Sequence, residues 1–296
     1  MFIKYSHPPS GGNGLHTGRN CGKMYIMSKR GGIAVKSEYG QRPIGVFDSG
    51  VGGISVLREL MRQMPGESFV YYGDSANAPY GARTPEEVRS LTDAHVAQLI
   101  EQGAKAVVIA CNTATGAAIQ YLREKYKEIP IIGMEPAIKP AVSACPGGRI
   151  LVMATPVTLS SPGFQRLMTA YADQAEILPA PCAKLARMIE SGLLDGAEME
   201  EYLRTELTAF LDTPADAVVL GCTHYPFAKS AILRVSGAKG CFDGGEGTAR
   251  ETKRQLEMRG WLAEENQRGT ATILNSDPDL ARLRFCERLL GVDADK

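Results

Sequence analysis

Two segments of this chain resemble each other. Ala106-Val107-Val108-Ile109-Ala110-Cys111 is followed by Asn112-Thr113, and Ala217-Val218-Val219-Leu220-Gly221-Cys222 by Thr223-His224. Each reads as an apolar strand, a small residue, a cysteine and two polar side chains. Ligands of open α/β sheets bind just beyond the C-terminal ends of strands. The pattern therefore presents two thiols at the places where such a fold puts its site. A thiol can act as both acid and base, and a thiolate is favoured at a helix N-terminus or beside a protonated histidine. Both cysteines precede expected helix starts, and His224 lies two residues beyond Cys222. Two thiols facing one carbon suit the inversion of an α-centre. One ionised sulfur removes the proton from one face, the other supplies a proton to the opposite face, and the roles exchange for the reverse direction.

Other accounts of these residues are plainer. Free cysteine is among the most buried residue types, but a structural cysteine has apolar neighbours on both sides, and these have Asn-Thr and Thr-His. A zinc site built from Cys111, Cys222 and His224 has no C-x-x-C or H-E-x-x-H spacing behind it, so no metal is expected. A thiol hydrolase needs one cysteine and an oriented histidine, which leaves the second cysteine without a role.

Two further loops carry polar groups beyond strand ends. Asp48-Ser49-Gly50-Val51-Gly52-Gly53 lacks the spacing and the lysine of a phosphate loop. It reads as a tight turn that sets Asp48 and Ser49 over a sheet, with backbone N–H groups free for a small carboxylate. Asp48 can receive an ammonium group or assist proton transfer; a helix N-cap is the simpler role. Asn77-Ala78-Pro79-Tyr80-Gly81 is a Pro/Gly loop in which Tyr80 offers a ring and a hydroxyl.

The elements that must position these residues alternate regularly. Short apolar runs (PIGVFDSG, SFVYYGD, KAVVIACNTA, IPIIGME, RILVMAT, AEILPAP, DAVVLGCTHYP, CFDGG, TATILNSD) are separated by amphipathic helical stretches. Thr84 and Pro85 mark a helix start and Gly103 its end. This pattern predicts an α/β fold of parallel sheets covered on both faces. Two open sheets fit the strand spacing better than a single eight-stranded barrel. Residues 1–42 lack apolar periodicity and are expected to form a mostly disordered extension, with Met24 or Met27 as alternative starts.

With 296 residues, 44% of them hydrophobic, the chain can bury a sizeable core, as one large domain or two ordinary ones. Lys plus Arg equals Asp plus Glu at 33 each, so no nucleic-acid or membrane partner is expected. No apolar run reaches the roughly 20 residues of a membrane span. The N-terminus lacks a signal-peptide stretch, so a cytoplasmic location is expected. Seven scattered cysteines argue for reduced thiols rather than a disulfide framework.

The motifs FDSGVGG (47–53), GDSANAPYG (73–81), ACNTA (110–114) and GCTHYP (221–226), in this order and spacing, resemble those of glutamate racemases in the aspartate/glutamate racemase superfamily. GMEPAIKPA (133–141) fits that family's crossover between domains. The resemblance runs from about Ile44 to the C-terminus. It implies two pseudo-symmetric α/β domains, here 43–135 plus 245–296 and 136–244, with the active site in the cleft between them. It implies interconversion of L- and D-glutamate without pyridoxal phosphate, metal or other cofactor, a homodimer, and D-glutamate for peptidoglycan synthesis. By the same resemblance Cys111 and Cys222 are the catalytic pair. Asp48 and Ser49, Tyr80 and Gly81, Asn112 and Thr113, and Thr223 and His224 are the substrate-binding pairs. Asp48 and His224 assist the thiols, and Glu190 in ARMIESG matches, more loosely, a further assisting carboxylate.

The chain departs from that pattern in its N-terminal extension, in Ser75 where threonine is usual, and in the divergent region 149–211. There MATPVTLSS still resembles the second-domain loop, so Thr155 or Thr158 is expected near substrate. The rival readings are a racemase of aspartate or another small acid, and a small-acid binding protein without turnover.

Overall fold

The computed structural model describes residues 3–6, 25–27, 33–35, 38–264 and 267–291. Its strands are β1 (Ile3–Ser6), β2 (Tyr25–Met27), β3 (Ile33–Val35), β4 (Ile44–Asp48), β5 (Phe69–Gly73) and β6 (Ala106–Ile109). They continue as β7 (Ile131–Gly133), β8 (Arg149–Ala154), β9 (Glu176–Pro181), β10 (Ala217–Leu220), β11 (Gly240–Asp243) and β12 (Thr270–Asn275).

Two open sheets form, not a barrel. The first has the order β1-β12-β5-β4-β6-β7 and the second β11-β10-β8-β9. Every pairing in them is parallel except β1 on β12. The halves share one topology. In β5-β4-β6-β7 and in β9-β8-β10-β11 the strands run second, first, third, fourth. The chain order therefore reverses between the first and third strand of each half, and this switch point is where open sheets bind ligands. Both cysteines follow a third strand. The switch-point strands β4, β6 and β10 are buried along their whole length, as expected for parallel sheets covered on both faces.

The covering helices bury the apolar stripes seen in the sequence. The helix Ile54–Gln63 buries Ile54, Val56, Leu57 and Leu60. The helix Pro85–Glu101 starts with a reciprocal Thr84–Glu87 capping box, and Gly103 follows its end at φ 90°. Hydrophobic clusters fill both faces of each sheet. Three helices have no counterpart in the sequence reading: Ile138–Ala144, Pro156–Ser160 and Lys229–Ser236. Each is short, with too few turns to display a 3.6-residue period.

The stretch 1–42, expected to lack order, contains structured pieces. β1 pairs with the free edge of β12 over four residues, β2 and β3 pair with each other, and Glu38–Gln41 forms a 3-10 turn. An unpaired sheet edge is a ready template for any nearby extended segment, and four residues are too few to carry an amphipathic signature. The rest of that expectation lies outside the described residues.

Candidate active site

The loops after the switch-point strands converge on a cavity of about 170 Å3. That is below the roughly 300 Å3 at which drug-sized pockets begin, so it suits a small ligand. Ser49, Tyr80, Gly81, Cys111, Asn112 and Thr113 reach it from the first lobe, and Thr155, Glu190, Cys222, Thr223 and His224 from the second. Both thiols therefore line one cavity, from opposite lobes.

Cys111 is the N-cap of the helix Asn112–Lys125, and its Sγ accepts from the Ala114 N–H at 3.4 Å. Ser49 Oγ lies 3.4 Å from the same sulfur. The helix start was expected to favour a thiolate here. Instead the thiol is pushed up to about 12, first by burial and then by the charge of Asp48. Removing a charge from water outweighs the few hydrogen bonds and partial charges that a helix end supplies.

Cys222 differs. No α-helix starts beside it; a turn and the 3-10 segment Tyr225–Ala228 intervene. Its partner is His224, whose Nδ1 lies 3.6 Å from Sγ. His224 Nε2 lies 2.7 Å from Glu190 Oε1. Burial works against a charged imidazole, but hydrogen bonds to Cys222 and Glu190 outweigh it and raise His224 well above its ordinary value. Glu190 also accepts from the Val51 N–H at 2.8 Å and from Arg282 Nη1 at 2.8 Å. Burial opposes its charge too, yet these partners, His224 foremost, keep its carboxyl below the usual range. Glu190, matched only loosely in sequence, thus sits at the centre of the array.

Asp48 is placed differently from the expectation. It does not line the cavity. It is fully buried behind it, accepting from the Gly50 N–H at 2.9 Å and from Thr223 Oγ1 at 3.0 Å. Burial raises its carboxyl. It joins the lobes through its bond to Thr223, which does line the cavity. The Tyr80 hydroxyl proton is likewise committed, to Asp74 at 2.7 Å.

Thr113 Oγ1 bridges the lobes through Thr155 Oγ1 and Thr158 Oγ1, both at 3.2 Å. Of this pair only Thr155 lines the cavity. Both amide atoms of Asn112 are buried without a hydrogen-bond partner among the described residues. A buried unpaired amide is costly, and one on a cavity wall marks a place where a ligand completes the bonding. Among the described residues no cluster of three His, Cys, Asp or Glu could hold a metal ion.

Sequence reasoning missed Arg282 and Arg187, which also line the cavity. Arg282 lies in the first turn of the helix Leu280–Leu290, in a stretch with only helical periodicity to read. Arg187 was seen only as part of the run containing Glu190.

The chain is similar to known proteins in sequence and in fold. The family described as Asp/Glu/Hydantoin racemase matches residues 44–252. A glutamate racemase of Clostridium perfringens is 47% identical over 251 residues, 84% of this chain and 96% of the relative. One from Clostridium acetobutylicum is 49% identical over 250 residues, 84% and 98% of the two chains. The crystal structure of the Francisella tularensis glutamate racemase in complex with D-glutamate superposes with a TM-score of 0.75 at 30% identity, covering 86% of this chain and 96% of that one.

Proposed function

The chain belongs to the Asp/Glu/Hydantoin racemase family, and on that premise we propose that it interconverts L- and D-glutamate without a cofactor, passing the α-proton between Cys111 and Cys222. The observation that carries this reading is that two thiols from opposite lobes line one small cavity. The 47–49% identity to glutamate racemases supports glutamate as the substrate.

Cys222 beside a protonated His224 is the base-competent thiol, and the buried Cys111 carries the proton to be donated. In that direction the Cys222 thiolate takes the α-hydrogen and the C–H electron pair stays on carbon. The carbon then takes the Cys111 proton on its other face, leaving a Cys111 thiolate. The reverse reaction restores the starting protonation. No electron sink is invoked, so placed donors must stabilise the carbanion as its charge spreads onto the α-carboxylate. The Asn112 amide and the first N–H groups of the helix that it opens supply them. The Thr223 hydroxyl donates to Asp48 and so has lone pairs left for the substrate ammonium. Both lobes contribute to the cavity, so their closure excludes water and strengthens each contact.

Family membership supports the remaining parts of the reading: domains spanning 43–135 plus 245–296 and 136–244, a homodimer acting in the cytoplasm, and D-glutamate supplied to peptidoglycan synthesis. No helix among the described residues is long and apolar enough to cross a membrane.

The test is circular dichroism of L- and of D-glutamate with purified protein and no added cofactor. Wild type should bring either enantiomer to the racemate, with uptake of solvent deuterium at the α-carbon. Cys111→Ala and Cys222→Ala should each abolish turnover in both directions, because the enantiomers are equal in free energy and kcat/KM must fall by one factor for both. Near-normal turnover in either variant would refute the two-thiol mechanism.

A further inference from the structure

Arg282 has no role in the reaction as written above, yet it belongs to a continuous line of polar and charged groups that ends at Cys222. It comes from the C-terminal helix Leu280–Leu290, which packs into the core of the first lobe through Leu283, Phe285 and Leu289. Its Nη1 spends both protons on Glu190, one on Oε2 and one on the backbone carbonyl, each at 2.8 Å. Its Nε faces Asp277 Oδ2 at 3.5 Å. Glu190 ends the helix Leu185–Glu190 of the second lobe and holds His224, which in turn faces the Cys222 sulfur. The line Asp277–Arg282–Glu190–His224–Cys222 crosses between lobes at the Arg282–Glu190 step.

We propose that Arg282 is a positioning residue for Cys222: by pinning Glu190 it fixes the His224 ring against the sulfur, and it does so only while the lobes are closed. Surface ion pairs contribute little because water competes for both charges. This pair is different: the Glu190 side chain is only 14% exposed and that of Arg282 25%. The two bonds to one residue also fix direction as well as charge. Such outer partners commonly set the orientation and basicity of the group they hold. At the Glu190 end the array also faces Tyr71, held neutral by burial, Asp48 and Cys286. Asp48 lies near His224. Cys286, on the same helix as Arg282, is pushed up to about 12 by burial and so stays neutral. None of the three can replace Arg282 as the cation on Glu190. The C-terminal helix thereby senses closure: when the lobes part, Glu190 keeps His224 but loses the Arg282 guanidinium and its hold on the Val51 N–H in one movement.

The inference takes its turnover readout from the glutamate reading above, and a second readout does not depend on it. Arg282→Gln and Arg282→Lys are compared with wild type in three measurements. These are kcat and KM for both enantiomers across pH, the rate of Cys222 alkylation by iodoacetamide followed by mass spectrometry, and thermal melting.

Arg282→Gln should lower kcat on the order of tenfold and slow Cys222 alkylation at neutral pH by a similar factor. The loss of activity at high pH should begin at lower pH. The sign follows from geometry: Glu190 stays ionised in this range, but without the Arg282 bonds its Oε1 is no longer held on Nε2, so the imidazolium loses the hydrogen bond that retains its proton and releases it earlier as pH rises. Arg282→Lys keeps the charge without the paired bonds and should recover part of each effect. Should the Gln variant melt below assay temperature, the Lys variant carries the same comparison, with smaller changes of the same sign.

Unchanged kcat, high-pH limb and alkylation rate would overturn the assignment. A rise in KM alone would also overturn it, by making Arg282 a substrate contact. If wild type turned over no glutamate, the proposed function would fail by itself, and the alkylation rates would still decide the role of Arg282.

Discussion

Asn112 separates the demands of stability from those of function at a single residue. Its amide is buried with no partner among the described residues, which costs about 1–3 kcal/mol relative to a satisfied group. Leucine has a similar branched shape and no polar atoms, and the adjoining cavity takes up its greater bulk. Asn112→Leu should therefore raise stability by about 1 kcal/mol, seen as a melting point higher by roughly 2–4 °C. The same change removes a donor for the developing carbanion, and kcat/KM for glutamate should fall by about 100-fold or more. Differential scanning calorimetry and the racemisation assay check the two halves of this prediction. A variant that is less stable yet fully active would make Asn112 a structural residue. Cys111 and Cys222 show the same dependence on surroundings. Their flanking sequences are alike, but one sulfur is buried against Ser49 and the other is paired with an imidazole.

At the scale of elements, the turn after β4 decides how closely the lobes approach. A Cβ added at Gly52 would run into the His224 ring and Thr223 Oγ1, and one at Gly50 into the Glu190 carboxylate. These glycines let the backbone of one lobe touch side chains of the other, a close approach that any larger residue forbids. Gly52→Ala should push Thr223 and His224 away from the cavity. Misplacement by about 1 Å can cost on the order of 100-fold in rate, while overpacking at one site costs only about 1–3 kcal/mol of stability. The activity loss should thus far exceed what melting accounts for. Gly247→Ala is the control. It lies in the helix Gly245–Arg259 with nothing nearer than 3.9 Å to an added Cβ, so it should stabilise by roughly 0.5–1 kcal/mol and leave kcat/KM unchanged. Equal activity in the two variants would remove the case for close lobe contact.

At the scale of the molecule, the cavity exists only where two lobes meet. The hydroxyl bridge Thr113–Thr155–Thr158, the Thr223–Asp48 bond and the Glu190–Val51 bond cross the gap. A ligand held by both walls adds to these crossings and stabilises the closed, folded form. L- and D-glutamate should each raise the melting temperature, by an amount set by about 2.7 kcal/mol at a hundred times Kd. Aspartate, one methylene shorter, cannot span the same walls and should fall short by about 1–3 kcal/mol in binding. Thermal-shift titrations with all three amino acids test this. Stabilisation by aspartate equal to or above that by glutamate would move the substrate to the rival acid.

The alternation of strands and helices, the capped helix from Pro85, and the two matched strands ending in Cys111 and Cys222 were all legible in the residue order. Those features are local: they depend on periodicity, turn chemistry and the residues within one or two turns. The two-sheet division followed from strand spacing, and the four motifs from their order. The assembled fold was needed to place Asp48 behind the cavity, to join Glu190 to His224, Val51 and Arg282, and to hold Cys111 as a thiol. The bonds responsible link residues 175, 139 and 92 positions apart. The charge state of each group depends on how much water the assembled lobes exclude. No local pattern encodes either quantity, because both arise only when distant segments are packed against one another.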